Sequence, residues 1–210
     1  MFRNEGFTLL ELIVVVVIVG LTAVWALPDF RRGIAQSKVD RYTRNIESGL
    51  FSLRARMGAI KGSCQINFTD RSGFSEGRFA APEDLLERQQ ADGSLSDEDA
   101  LKSCRESFAD DTNINAEAFR LVNMEGSRER DSVEIALKTD SYSFTPPGTT
   151  ANANDLTILI RSKQSETAGI LNSLAKVLPT RTRCILVTGN GQVFSGTWSD
   201  EEEECLSKQM

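Results

Sequence analysis

The sequence predicts an α+β fold, one long N-terminal helix packed on an antiparallel β-sheet domain. Three observations predict it. Phe7 to Leu27 is an almost unbroken apolar run, residues 34 to 60 repeat apolar side chains at helical steps, and the chain beyond residue 62 breaks into short alternating runs between turn residues. A chain of 210 residues suits one globular unit plus one extra element.

The first element begins after a short polar leader, Met1-Phe2-Arg3-Asn4-Glu5-Gly6. The 21 residues from Phe7 to Leu27 make a helix of about 31 Å, enough to cross a hydrocarbon core of about 30 Å. Val and Ile dominate it, and they are mediocre helix formers in water. In lipid the backbone must satisfy its own hydrogen bonds, so there the helix is forced. An ordinary secretory signal fits poorly: the charged leader is too short, and no small-x-small cleavage site precedes a mature domain.

Glu11 is the odd residue of this run. A carboxylate within an apolar span costs at least a few kcal/mol and usually has a partner or a role. Two readings stand. Glu11 lies near the start of the run and can snorkel to the interface. Alternatively, it meets a cation, and cleavage after Gly6 would create one at the α-amine of Phe7.

Pro28-Asp29-Phe30-Arg31-Arg32 follows the run directly. Apolar residues then recur at Ile34, Val39, Tyr42, Ile46, Leu50, Leu53, Met57 and Ile60, a helical period. A single helix is therefore expected from about 7 to about 60. Pro28 should kink it or interrupt its hydrogen bonding. Gly58 and Lys61-Gly62-Ser63 should end it.

The head begins with a short strand at 65–69. Residues from about 70 to 116 read as a polar insertion, with a short helix at 82–88, a break at Ala91-Asp92-Gly93 and a helix N-cap at Ser96 to Asp99. Further strands are expected at 118–124, 132–138, 142–145 and 156–160, with Pro146-Pro147-Gly148 as a turn. Residues 167–178 read as a short helix or loop. The runs 184–188 and 192–194 flank Gly189-Asn190-Gly191 and form a hairpin.

Charge is divided along the chain. Residues 1–60 hold eight Lys/Arg and five Asp/Glu, a net of +3, while residues 61–210 hold 16 and 25, a net of −9. A −9 domain does not favour a polyanion as partner. The chain has no histidine, which removes the commonest general base and the usual zinc ligand. No residue pair suggests catalysis, so neither an enzyme nor a cofactor is expected.

Cys64, Cys104, Cys184 and Cys205 all follow the apolar run. An even count in a membrane-tethered domain fits two disulfides formed in an oxidising compartment. Three pairings are possible, and proximity along the chain suggests Cys64–Cys104 and Cys184–Cys205. A zinc site lacks any CxxC spacing, and reduced cysteines are the other alternative.

Three more features have plain readings. Gly189-Asn190-Gly191 lacks the helix and Lys-Ser/Thr of a phosphate loop, so a turn is favoured. Asp200 to Glu204 could hold calcium, but consecutive acids without a Gly-shaped loop favour a solvated acidic tail, and no metal site is expected. Arg31 and Arg32 would flank a membrane. Arg41, Arg44, Arg54 and Arg56 could touch DNA, but a solvated face or pairing with acids in an assembly is favoured.

Gly6-Phe7-Thr8-Leu9-Leu10-Glu11, followed by the apolar run, resembles the processing signature of type IV prepilins and type II secretion pseudopilins. The resemblance implies a pilin fold and the divisions 1–6 leader, 7–27 transmembrane and assembly helix, 28–62 amphipathic continuation and 63–210 periplasmic head. It implies cleavage between Gly6 and Phe7 by a prepilin peptidase, N-methylation of Phe7, and pairing of Glu11 with the Phe7 amine of another subunit. Pro28 stands where many pilins carry a helix-disrupting proline. Other pilins or pseudopilins and an inner-membrane assembly platform are the implied partners.

The order Tyr142 to Gly148, the strand at 156, then Arg183 to Val187 and Gly191 to Val193 resembles the GspH/FimT group of minor pilins and pseudopilins. The 70–116 insertion and the acidic run depart from that group. Some such pilins capture DNA at the tip of a competence pilus through a basic C-terminal segment. Here Arg181 and Arg183 are the only cations near an acidic end, which weighs against that alternative.

Overall fold

The computed structural model describes residues 8–69, 74–82, 86, 100–108, 120–122, 126–145, 155–164 and 180–207, and within these the side chains of 24–28, 126, 127 and 207 are not described. The expected segments at 83–85, 87–99 and 167–178 lie outside the described residues.

Helix α1 runs from Leu9 to Ile60, 52 residues or about 78 Å. Its helical assignment passes Pro28 without interruption. Lys61 closes it in the left-handed region at φ 51°, so the backbone reverses at the position where the sequence places its terminator. β1 (Cys64–Asn67) leaves at once and pairs antiparallel with β3 (Ser141–Phe144).

The main sheet has five antiparallel strands in the order β2 (Val133–Leu137), β4 (Leu156–Ser162), β5 (Arg183–Val187), β6 (Val193–Ser199) and β7 (Glu204–Ser207). Alternation decides which side chains meet the helix. Ile135, Ile160, Ile158, Ile185 and Val187 are fully buried in one core with Val39, Tyr42, Ile46, Leu50, Leu53 and Met57 of α1. The residues between them, Ala136, Leu159 and Cys184, form a second small cluster with Phe79, Trp198 and Cys205. This is the helix-on-sheet architecture the periodicities predict.

The free edge of β2 is covered. Ala80 bridges Ile135 through hydrogen bonds of 2.8 and 2.9 Å, and the Gly77 N–H donates to the Leu137 carbonyl. Pairing there removes an exposed template for association. The segment from about 70 to 116 is therefore more than a polar excursion. Its described parts bury Leu86, Ala100, Leu101, Cys104 and Phe108, the last two on α2 (Lys102–Phe108).

Two expectations for the head are corrected. Residues 120–122, the described part of the strand expected at 118–124, are irregular. Backbone packing takes the place of pairing there, because Leu121 lies against Gly49, where an added Cβ would stand 1.8 Å from the Leu121 carbonyl oxygen. The acidic run is not a tail. Residues 200–203 form the exposed turn between β6 and β7, with Glu203 at φ 51°. The two strands pair from Ser199↔Glu204 to Gly196↔Ser207, which takes the acids out of any disordered end.

Candidate assembly site

The first turn of α1 is built by Thr8. Its backbone is extended (φ −77°, ψ 152°), and its Oγ1 accepts the Glu11 N–H at 3.3 Å. Thr8-x-x-Glu11 has the spacing of a capping box, in which an acid at the third helical position also favours the positive end of the helix dipole. The sequence left Glu11 between snorkelling to the interface and meeting a cation, and did not single out Thr8 as the cap that receives its N–H. The Thr-x-x-Glu spacing was the signal available. Glu11 is exposed. Gly6 and Phe7 lie outside the described residues.

Above the cap, from Leu9 to Leu21, the helix has no packing partner among the described residues. Leu9 and Leu10 are 78% and 74% exposed, and all the Val, Ile and Leu residues from 12 to 21 are at least 48% exposed. Exposure on every side means that no face of this segment packs on the head. Its hydroxyl is internally satisfied, since Thr22 Oγ1 donates to the Ile18 and Val19 carbonyls. Among the described residues no helix is long and apolar enough to cross a membrane.

The lower half of α1 is fastened to the head by polar clamps as well as by the core. Asp40 Oδ1 accepts from Arg183 Nε at 2.6 Å and from Gln36 Nε2 at 2.9 Å, and Arg183 also donates to Thr197 Oγ1. Burial tends to raise the Asp40 carboxyl. The hydrogen bonds from Arg183 and Gln36, with the charges of Arg183 and Arg44, outweigh burial and hold it below its ordinary value. Arg41 reaches the buried Glu129 at 3.0 Å, on the 3-10 helix Gly126–Ser132. Two of the cations read as solvent-facing or DNA-facing, Arg41 and Arg183, thus have carboxylate partners in the same chain. Arg181 is exposed. Asp40 and Glu129 carried no motif, because the partners only meet in three dimensions.

The cysteines form two bonds, Cys64–Cys104 between β1 and α2 and Cys184–Cys205 between β5 and β7. The second passes over β6 beside Gly196, the register partner of Cys184. Its Cα–Cα distance of 5.8 Å is well under the roughly 9.6 Å of two strand spacings, so the sheet curls at this edge. On the same face the Lys138 ammonium lies 4.3 Å from the Trp198 ring centroid and 3.7 Å from Glu203. Gly191, in the β5–β6 turn, has φ 78°, a conformation suited to glycine. Among the described residues no group of three or more His, Cys, Asp or Glu is placed to hold a metal ion.

With this geometry in place, comparison with known proteins is informative. Residues 1–27 match the family model described as the prokaryotic N-terminal methylation motif. The chain is 34% identical over 80 residues to the type IV major fimbrial protein FimA of Dichelobacter nodosus, an alignment covering 37% of this chain and 51% of that protein. The chain thus spans about half the length of the curated relative it matches. No solved structure matches significantly. The N-terminal segment of this chain thus carries the methylation motif, and part of the chain is similar to a type IV fimbrial protein.

Proposed function

We propose that this chain is a minor pilin or pseudopilin, a structural rather than catalytic subunit of a type IV pilus or a type II secretion pseudopilus. The observation that carries the reading is the upper half of α1, capped by Thr8, apolar on every side, unpartnered among the described residues and lying within the methylation motif match. In this reading a prepilin peptidase cleaves between Gly6 and Phe7, and the new Phe7 amine is N-methylated. Residues 7–27 hold the subunit in the inner membrane with its head in the periplasm, where both disulfides are stable. An assembly platform then extracts the helix, which is buried among those of other pilins. Glu11 pairs with the Phe7 amine of a neighbour and fixes register. The order of Tyr142 to Gly148, the run at Leu156 and the runs from Arg183 and Gly191 in the sequence supports a GspH/FimT-type minor subunit, although the matched relative is named a major fimbrial protein.

Two measurements test this. The protein isolated from its native membrane should begin at methylated Phe7, and an intact Met1 terminus overturns the processing step. Glu11→Gln keeps a side chain able to cap the helix but removes the charge. Charge pairing predicts that Glu11→Gln and Glu11→Ala both abolish incorporation into filaments. Normal incorporation of Glu11→Gln reduces Glu11 to a helix cap.

A further inference from the structure

The buried stripe of α1 changes character at its upper end. Val39, Tyr42 and Ile46 fill the core, but one turn above Val39 the stripe holds only Ala35. Arg31 and Lys38 flank Ala35 at helical spacing, on the same side of the helix. The small residue leaves a recess of about 260 Å³ between α1 and the head, lined by Arg31, Ile34, Lys38, Ser132, Ser162 and Gln164 as well as Ala35.

Its polar lining is rich in donors. Lys38 Nζ lies 3.2 Å from Ser132 Oγ. Ser162 is 2% exposed, and its Oγ accepts the Gln164 N–H at 3.3 Å. Among the described residues its hydroxyl proton has no acceptor, and Arg31 has no carboxylate partner. No carboxylate lines the recess, and the neighbouring Asp29 and Asp131 are exposed to solvent. One guanidinium, one ammonium and a buried hydroxyl around a partly apolar floor match a phosphate diester joined to an apolar body.

Position identifies the source of that phosphate. Arg31 stands four residues past Leu27, about 6 Å along the axis, and the headgroup layer is about 5–7 Å deep. Helical side chains lean toward the N-terminus, so Lys38 points back toward the same layer. We propose that this recess seats the headgroup of an anionic phospholipid while the subunit is stored in the bilayer, a role that rests on the membrane reading above. The bound lipid would hold the −9 head at a fixed height on a surface that otherwise repels it.

The test uses the full chain reconstituted in phosphatidylcholine vesicles containing a minority of phosphatidylglycerol. After release into detergent, the retained lipids are counted by native mass spectrometry. Wild type should retain phosphatidylglycerol preferentially. Each cation near an anionic surface is worth about fivefold, so Arg31→Gln with Lys38→Gln should lower the preference by about 25-fold. Arg54→Gln, at the other end of the head, should leave it intact, and all three proteins should share one unfolding midpoint. No preference in wild type, an unchanged double variant or an equal loss in Arg54→Gln overturns the site. Loss of the preference on adding inorganic phosphate assigns the recess to a free anion and overturns the lipid role. Failure to co-float even with pure phosphatidylcholine vesicles overturns the membrane reading itself, whereas co-flotation without preference overturns only the recess.

Discussion

The two halves of α1 share one backbone geometry and live in different surroundings. From Leu9 to Leu21 the apolar side chains are exposed on every side. From Ala35 to Met57 one face is buried to 5% or less, while Arg41, Arg44 and Ser48 face solvent. The lower half owes its stability to the sheet beneath it. The upper half has the composition of a core, but among the described residues no core covers it. A helix with a polar face can be read as a surface element, but one that is apolar all round is made for lipid or for other helices.

Experiments can break or sharpen this comparison. The largest effect expected is from Cys64→Ser with Cys104→Ser, which releases α2 from the strand that follows the packed half. A separation of 40 residues implies a loss of about 4 kcal/mol, read as a lower denaturation midpoint. Leu50→Ala, in the packed half, should cost about 3 kcal/mol, whereas Val16→Ala should leave the unfolding of the head unchanged. Equal losses at both sites would erase the distinction between the halves. Gly49→Ala should cost about 2 kcal/mol, because the new Cβ meets the Leu121 backbone, which cannot swing aside as a side chain can.

The smallest effect is a pH signature. The Asp40 carboxyl is held below its ordinary value in the folded chain, so the clamp stabilises at neutral pH and is lost as pH falls through that lowered value. Asp40→Asn should therefore be about 1 kcal/mol less stable at pH ~7 and equal to wild type in strong acid. A constant difference across the range would mean that packing, not charge, sets the contribution of Asp40.

Much of this was legible in the residues. Apolar steps of three and four marked the buried stripe from Val39 to Met57, and Lys61-Gly62 marked its end. The alternation at Val133, Ile135 and Leu137 marked a strand with one face on the helix. β7 was not legible, because Asp200 to Glu204 reads as solvated acid, and only the bond from Cys205 to Cys184 and the pairing with β6 turn it into a hairpin. The buried parts of the 70–116 segment were hidden for a related reason. Leu86, Leu101 and Phe108 lie in a stretch with too few apolar residues to show a period.

The sequence by itself determined the long apolar helix with Glu11 near its start and the change from an all-apolar to an amphipathic half. Each depends on neighbours within one turn or on a repeat along one helix, and such information is local. Tertiary structure alone decided the Asp40–Arg183 and Arg41–Glu129 clamps, the approach of Leu121 to Gly49 and the recess at Arg31 and Lys38. Those depend on groups that meet across 70 to 145 residues of chain, where no pattern in either partner announces the other.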